Sequence, residues 1–208
     1  METRDYKVNY GFTRETFPLG THICFIYDNE AERKMVLEKF LESGLSANEK
    51  VGAFADMDTE AEINDYFKEL GLSVDEYRRT GQLVVGSERK AYCPDGRFEV
   101  ERMLESWRKF YNLGKGEGYA AVRATGNPHW LHKGAPGAEH WVEYEAKLNE
   151  LVLEYPFSGI LCTYDSRKCS GTLLYDVLSV HNLMVVKGQI VRNPYYTSLE
   201  ELRLKQGA

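Results

Sequence analysis

The chain lacks most of the devices that would place it at once in a familiar class. No run of ~18 apolar side chains interrupts the 208 residues, so no segment is expected to span a bilayer. No basic tract exceeds two residues, as at Arg78-Arg79, and 26 Lys plus Arg stand against 32 Asp plus Glu, a formal net charge of −6. Nucleic-acid phosphates are held by clustered cations, so direct nucleic-acid binding is not expected. Cysteine is sparse, with Cys24, Cys93, Cys162 and Cys169 scattered and no C-x-x-C pair. In a reducing compartment these are expected as thiols, each a small buried hydrophobe. The opening Met1-Glu2-Thr3-Arg4-Asp5 has no apolar run behind it, unlike a secretory signal, and a cytoplasmic location is the expectation.

Catalytic signatures are missing too. There is no G-x-S-x-G and no Ser-His-Asp order, so no enzymatic activity is expected. Neither His22-x-Cys24 with Cys162, Asp165 and His181, nor His129 with His132 and His140, follows a known metal-ligand spacing. No metal or cofactor is therefore expected, although a thiol or metal redox sensor using Cys24 and Cys162 stands as an alternative.

What is present is alternation. With 43% hydrophobic residues, a chain this long can build one full core. Residues 21–27 read as a strand, followed by Asn29-x-x-Glu32 as a capping box opening a helix that stops at Gly44. Residues 50–55 read as a strand. Thr59-x-x-Glu62 and Ser73-x-x-Glu76 open two more helices, and strands are predicted at 82–86, 119–124 and 158–164. Between them fall helices at 98–113, broken by Gly114, and 138–154. A helix over 171–181 leads into a hairpin at 184–191 that turns at Lys187-Gly188, and a polar helix follows from Ser198. Strand–helix alternation of this kind predicts right-handed crossovers and a three-layer α/β domain. Its sheet is mainly parallel, with helices on both faces and an antiparallel hairpin at one edge. The predicted boundaries are an N-terminal extension at 1–15, the domain at 16–196, and a helical tail or linker at 197–208.

Such sheets bind ligands outside the carboxyl ends of their strands. A nucleotide hydrolase of this architecture would carry G-x-x-x-x-G-K-[ST] after the first strand. Here that turn is Tyr27-Asp28-Asn29-Glu30-Ala31, with no glycine to let the backbone wrap a phosphate and two acids to repel it. ATP turnover is not expected. A pocket is predicted over the ends of the 21–27 and 158–164 strands, covered by the loop from Thr125 to Gly137. Tyr27, Tyr164 and Asp165 would meet there. Arg123, read as ending its strand, would lie near Asp165, as a ligand contact or as a structural ion pair. Trp130 would supply an apolar wall or fold onto the core. His22 begins its strand about 16 Å from Tyr27, so it would lie near the opposite edge as a buried imidazole; Cys24 lies between them.

An ordered set of motifs carries a resemblance: Thr21-His22-Ile23-Cys24-Phe25-Ile26-Tyr27, Leu161-Cys162-Thr163-Tyr164-Asp165, His181, and Asn193-Pro194-Tyr195-Tyr196. Over about residues 16–196 the chain resembles the MEDS family, the methanogen/methylotroph DcmR-type sensory domain. The resemblance implies a diverged relative of the KaiC and RecA ATPases without a working P-loop, acting as a cytoplasmic sensor of hydrocarbon derivatives or C1-type compounds. It implies ligand roles for His22 and Cys24, with Asp165 and His181 matching later family positions. It also implies a histidine kinase or helix-turn-helix output partner, with a homodimer as the other expectation. A degenerate nucleotide-binding module without hydrolysis is the runner-up.

Overall fold

The computed structural model describes residues 6–198 and residue 201. A short antiparallel pair, β1 (Val8–Asn9) and β2 (Thr16–Phe17), precedes the main sheet. The chain then runs β3 (His22–Tyr27), α1 (Glu30–Ser46), β4 (Lys50–Ala55), α2 (Glu60–Glu69), α3 (Asp75–Arg79), β5 (Leu83–Ser87) and α4 (Glu88–Tyr92). It continues through α5 (Val100–Gly116), β6 (Val122–Gly126), two 3-10 turns (His129–Lys133 and Ala138–His140), α6 (Trp141–Glu154), β7 (Gly159–Asp165), α7 (Gly171–Val180), β8 (Leu183–Val186) and β9 (Gln189–Arg192).

The seven-stranded sheet has the order β5-β4-β6-β7-β3-β8-β9. All its pairings are parallel except the terminal β8–β9 hairpin, so the expected architecture is the one observed. Every residue of β7 is buried and β3 is nearly so, as befits strands covered on both faces. One core layer packs α1 and α2 against the sheet through Val36, Phe40, Leu41 and Phe67; the other packs α5 and α6 through Leu104, Trp107, Tyr144 and Leu148. Alternation along β3 sends Ile23, Phe25 and Tyr27 to the first layer and Cys24 to the second.

Local chemistry explains where the predicted boundaries shift. Thr59 and Glu62 close the predicted capping box at α2. At α1, Asn29 Oδ1 accepts from the Ala31 and Glu32 amides, but Glu32 does not reach back, because its carboxylate accepts from the Gly188 amide in the distant hairpin (3.2 Å). No side chain caps α3, which begins at Asp75 rather than at Ser73. Gly114 does not break α5. It lies inside the helix, where a Cβ would meet Val122 Cγ2 at 2.7 Å, so the missing side chain lets α5 approach β6 closely. The segment before residue 16 is built into the same core, with Val8 and Tyr10 buried and Tyr10 donating to the Ser158 carbonyl at 2.7 Å. The helix predicted from Ser198 lies almost wholly outside the described residues.

Candidate functional site

The strand order makes β3 and β7 neighbours and puts Tyr27 opposite Asp165 in their ladder. A cleft of about 200 Å³ opens at this end, over the carboxyl ends of β3, β4, β6 and β7. Tyr27, Arg33, Asp56, Asn127, His129 and Asp165 are among its lining residues. The loop after β6 forms one wall, and Asn127 Nδ2 donates to the Tyr27 hydroxyl at 3.3 Å. Asp165 is clasped by Arg167, whose Nε and Nη2 donate to its two oxygens at 2.7 and 2.8 Å; Nη2 also reaches Glu30 at 2.7 Å. Hydrogen bonds from Arg167 hold the Asp165 carboxyl down at about 2. The first amides of α1 are already committed to Asn29, and Glu30 and Glu32 occupy its first turn. This helix start therefore sets two acids and two committed amides against a phosphate, and the guanidinium of Arg33 that follows is already held by Glu30 at 2.6 Å.

Three predicted pocket residues, Arg123, Trp130 and Tyr164, lie elsewhere. β6 begins at Val122, not at residue 119, so Arg123 stands near the start of its strand rather than at its end. Fully buried, it donates from Nε to Glu49 at 2.6 Å and from Nη1 to the Phe40 carbonyl and Ser43 Oγ, both at 2.7 Å. Its carboxylate partner is Glu49, and the partner of Asp165 is Arg167. Trp130 is not a wall of the cleft either. It is 1% exposed and packs against Tyr92, Phe98 and Trp141 at ring-centroid separations of 6.1, 5.0 and 5.6 Å.

The remaining residues converge beneath the sheet. His22, Cys162, His181 and, unforeseen, Glu145 of α6 each present one donor atom to a buried point, all within 4.8 Å of one another. Glu145 Oε2 lies 3.0 Å from His22 Nε2 and 3.3 Å from His181 Nε2. Cys162 Sγ lies 3.3 Å from His22 Nε2 and 3.6 Å from Glu145 Oε2. Tyr164 turns to this face and donates its hydroxyl to Glu145 Oε1 at 2.7 Å. Cys24, opposite Cys162 in the ladder, is buried on the same face. None of these residues lines the cleft.

Burial, then the facing His181, push the His22 imidazole below its ordinary pKa, and burial with the Glu145 charge pushes the Cys162 thiol up. Burial would also raise Glu145, but two charged imidazoles would hold it well below the carboxylate range. These demands conflict. We favour the neutral His22, because both rings are fully buried and a pair of imidazolium ions there would be desolvated side by side.

Glu88 is a further residue missed in the sequence. It follows β5 directly, at a strand end outside the predicted pocket. It is buried, accepts from the His129 amide at 3.1 Å, and leaves Oε1 without a hydrogen-bond partner. Burial pushes its carboxyl up to about 8. A raised carboxyl favours folding fully below its unfolded pKa, and that contribution is lost as pH rises through about 8. Glu88→Gln is therefore expected to match the parent melting temperature near pH 5 and to exceed it by several degrees near pH 9. Thermal denaturation at the two pH values checks this; equal curves at both would show that Glu88 is not held protonated.

Geometry of this kind defines a RecA/KaiC-like α/β domain that lacks a phosphate loop. The chain belongs to the MEDS family, the MEthanogen/methylotroph, DcmR Sensory domain, which matches residues 21–182. No curated protein matches the sequence. Among solved structures, the chain is similar to the flagellar accessory protein FlaH of Methanocaldococcus jannaschii, at 12% identity and a TM-score of 0.56, covering 83% of this chain and 76% of that one. It is also similar to a KaiC-like protein of Pyrococcus horikoshii, at 16% identity and a TM-score of 0.59, covering 86% and 79%. At these identities the likeness shows the fold. Among the described residues, no helix is long and apolar enough to cross a membrane.

Proposed function

We propose that the chain is the receptor domain of a signal-transduction or transcription-regulatory system, and that it binds a small organic molecule in the cleft over β3, β6 and β7. The observation that carries this reading is the cleft itself. It lies where open α/β sheets place their ligands, and its volume of about 200 Å³ suits a molecule smaller than a nucleotide. Phe54 and Leu37 supply apolar surface, and Asn127 and His129 supply polar groups. His129 Nε2 is buried and has no hydrogen-bond partner. With Arg33, Asp56, Asp165 and Lys168 also on its walls, the cleft favours a hydrocarbon derivative that carries a polar or charged handle. A homodimer, or an output partner such as a kinase or a helix-turn-helix protein, would carry the signal onward. Nucleotide binding without hydrolysis is the second reading, favoured by the KaiC-like fold and opposed by the capped, acidic start of α1.

A thermal-shift panel of C1 compounds, short alcohols, amines and Mg·ATP tests the proposal. A ligand at 100 times its Kd adds about 2.7 kcal/mol to apparent stability, which is roughly 5–10 °C in a domain of this size. The expected result is a shift with one of the small organic compounds that is lost in Asn127→Ala, with Mg·ATP without effect. A shift with Mg·ATP alone would support the second reading and overturn the first.

A further inference from the structure

We infer that His22, Glu145, Cys162 and His181 form a site for one divalent transition-metal ion of the zinc class, a role that goes beyond the sensor reading and is independent of the cleft. Three features of the buried cluster point to a metal rather than a hydrogen-bond network.

Proton accounting comes first. His181 Nδ1 lies 2.7 Å from the Val177 carbonyl, which can only accept, so Nδ1 carries the proton. His22 Nδ1 lies 3.1 Å from Asn149 Oδ1, and Asn149 is oriented by its Nδ2 donating to the Val180 carbonyl at 2.7 Å, so His22 Nδ1 is protonated too. With both outer nitrogens committed, each neutral ring turns an Nε2 lone pair toward the Glu145 carboxylate. His181 Nε2 accordingly has no hydrogen-bond partner, although the ring is fully buried. Lone pairs aimed at a carboxylate repel unless a cation lies between them. A single proton can fill only one of the two gaps and leaves the other lone pair facing the carboxylate, and a second proton would make two imidazolium ions against one carboxylate, a buried net positive charge.

The second feature is distance. Zinc bonds of ~2.0–2.1 Å to N and O and ~2.3 Å to S, set tetrahedrally, separate ligand atoms by roughly 3.3–3.6 Å. Four of the six separations here are 3.0 and 3.3 Å from the imidazoles to Glu145, 3.3 Å from His22 to Cys162, and 3.6 Å from Cys162 to Glu145, and all six lie within 4.8 Å. Two neutral imidazoles, a carboxylate and a thiolate carry two negative charges, which a divalent cation cancels. Nitrogen and sulfur donors favour a zinc-like ion over magnesium or calcium.

The outer shell is the third feature. Three of the four ligands are oriented by a second group: His22 by Asn149, His181 by the Val177 carbonyl, and Glu145 Oε1 by the Tyr164 hydroxyl, which in turn accepts from Trp141 Nε1 at 3.2 Å. Metal sites are oriented in this way. Four protein ligands with no exposed position make the site structural. It would fasten β3, β7, α6 and the end of α7 to one another, and so fix the path into β8.

The experiment measures the metal in the full chain purified from zinc-supplemented medium, then titrates chelator-treated protein with cobalt(II). We expect about one zinc per folded chain. The cobalt form should show intense tetrahedral ligand-field bands and a thiolate-to-cobalt charge-transfer band. Cys162→Ser should lose the charge-transfer band, and Asn149→Ala should weaken cobalt binding by about ten-fold or more. Chelation should lower the melting temperature of the parent chain. A folded parent chain that carries no zinc and gives no cobalt spectrum would overturn the inference. So would a charge-transfer band that persists in Cys162→Ser.

Discussion

Arg123→Met is expected to destabilise the fold by ~3–5 kcal/mol, because it strands the Glu49 carboxylate in the core. Glu49 is 1% exposed and receives Arg123 Nε at 2.6 Å, with a further donation from Ser158 Oγ at 2.6 Å. The guanidinium also lies over the rings of Tyr10 and Phe40, at 5.3 and 4.9 Å from their centroids, and ties the β1 segment to α1. In a domain of this size the loss amounts to about 10 °C in melting temperature. Adding Glu49→Gln should recover part of it, since a charge-free pair no longer leaves an ion unpaired. Denaturant unfolding of the single and double variants checks both statements. A single variant within about 1 kcal/mol of the parent would show that the pair is solvated rather than buried.

Trp130→Ala is the second large effect, and it falls on stability before it touches any ligand. The indole sits among Tyr92, Phe98 and Trp141, and its removal leaves a cavity that costs ~3–5 kcal/mol. Its Nε1 has no hydrogen-bond partner. Trp130→Phe therefore gives up volume but no hydrogen bond and should retain most of the stability. The comparison is read by thermal melts of the two variants. If Trp130→Ala melted with the parent, the ring would not be core.

Alternation of strands and helices made the layered parallel sheet legible, and with it the meeting of Tyr27 and Asp165. The site was legible only in pieces. Arg123 was misplaced because Tyr119-Ala120-Ala121 reads as strand, whereas the ladder begins where Val122 meets Lys50. A shift of two or three residues moves a side chain from one end of a five-residue strand to the other. Glu145 was overlooked as one of several acids on an amphipathic helix. It falls, with Trp141, Tyr144, Leu148 and Val152, on the buried stripe of α6, and an acid on that stripe is the signal that was available. Its partners come from β3, β7 and the end of α7, so ligand spacing along the chain could not reveal them. His22 stands opposite Ile160 in the ladder, and its approach to Cys162 depends on the register of β3 against β7, which a single sequence leaves open. Trp130 shows a different limit: an aromatic in a Gly- and Pro-rich loop gives no periodicity from which to read its direction.

On the function proposed above, this MEDS domain reads a small molecule at the carboxyl ends of β3, β6 and β7. Amide NMR of the isotope-labelled chain, titrated with whichever small organic compound shifts its melting temperature, tests this most directly. Saturable shifts are expected at Tyr27, Asn127, His129 and Asp165, with the segment around Glu49 and Arg123 unmoved. Saturable shifts confined to other faces of the domain, with the cleft silent, would contradict it.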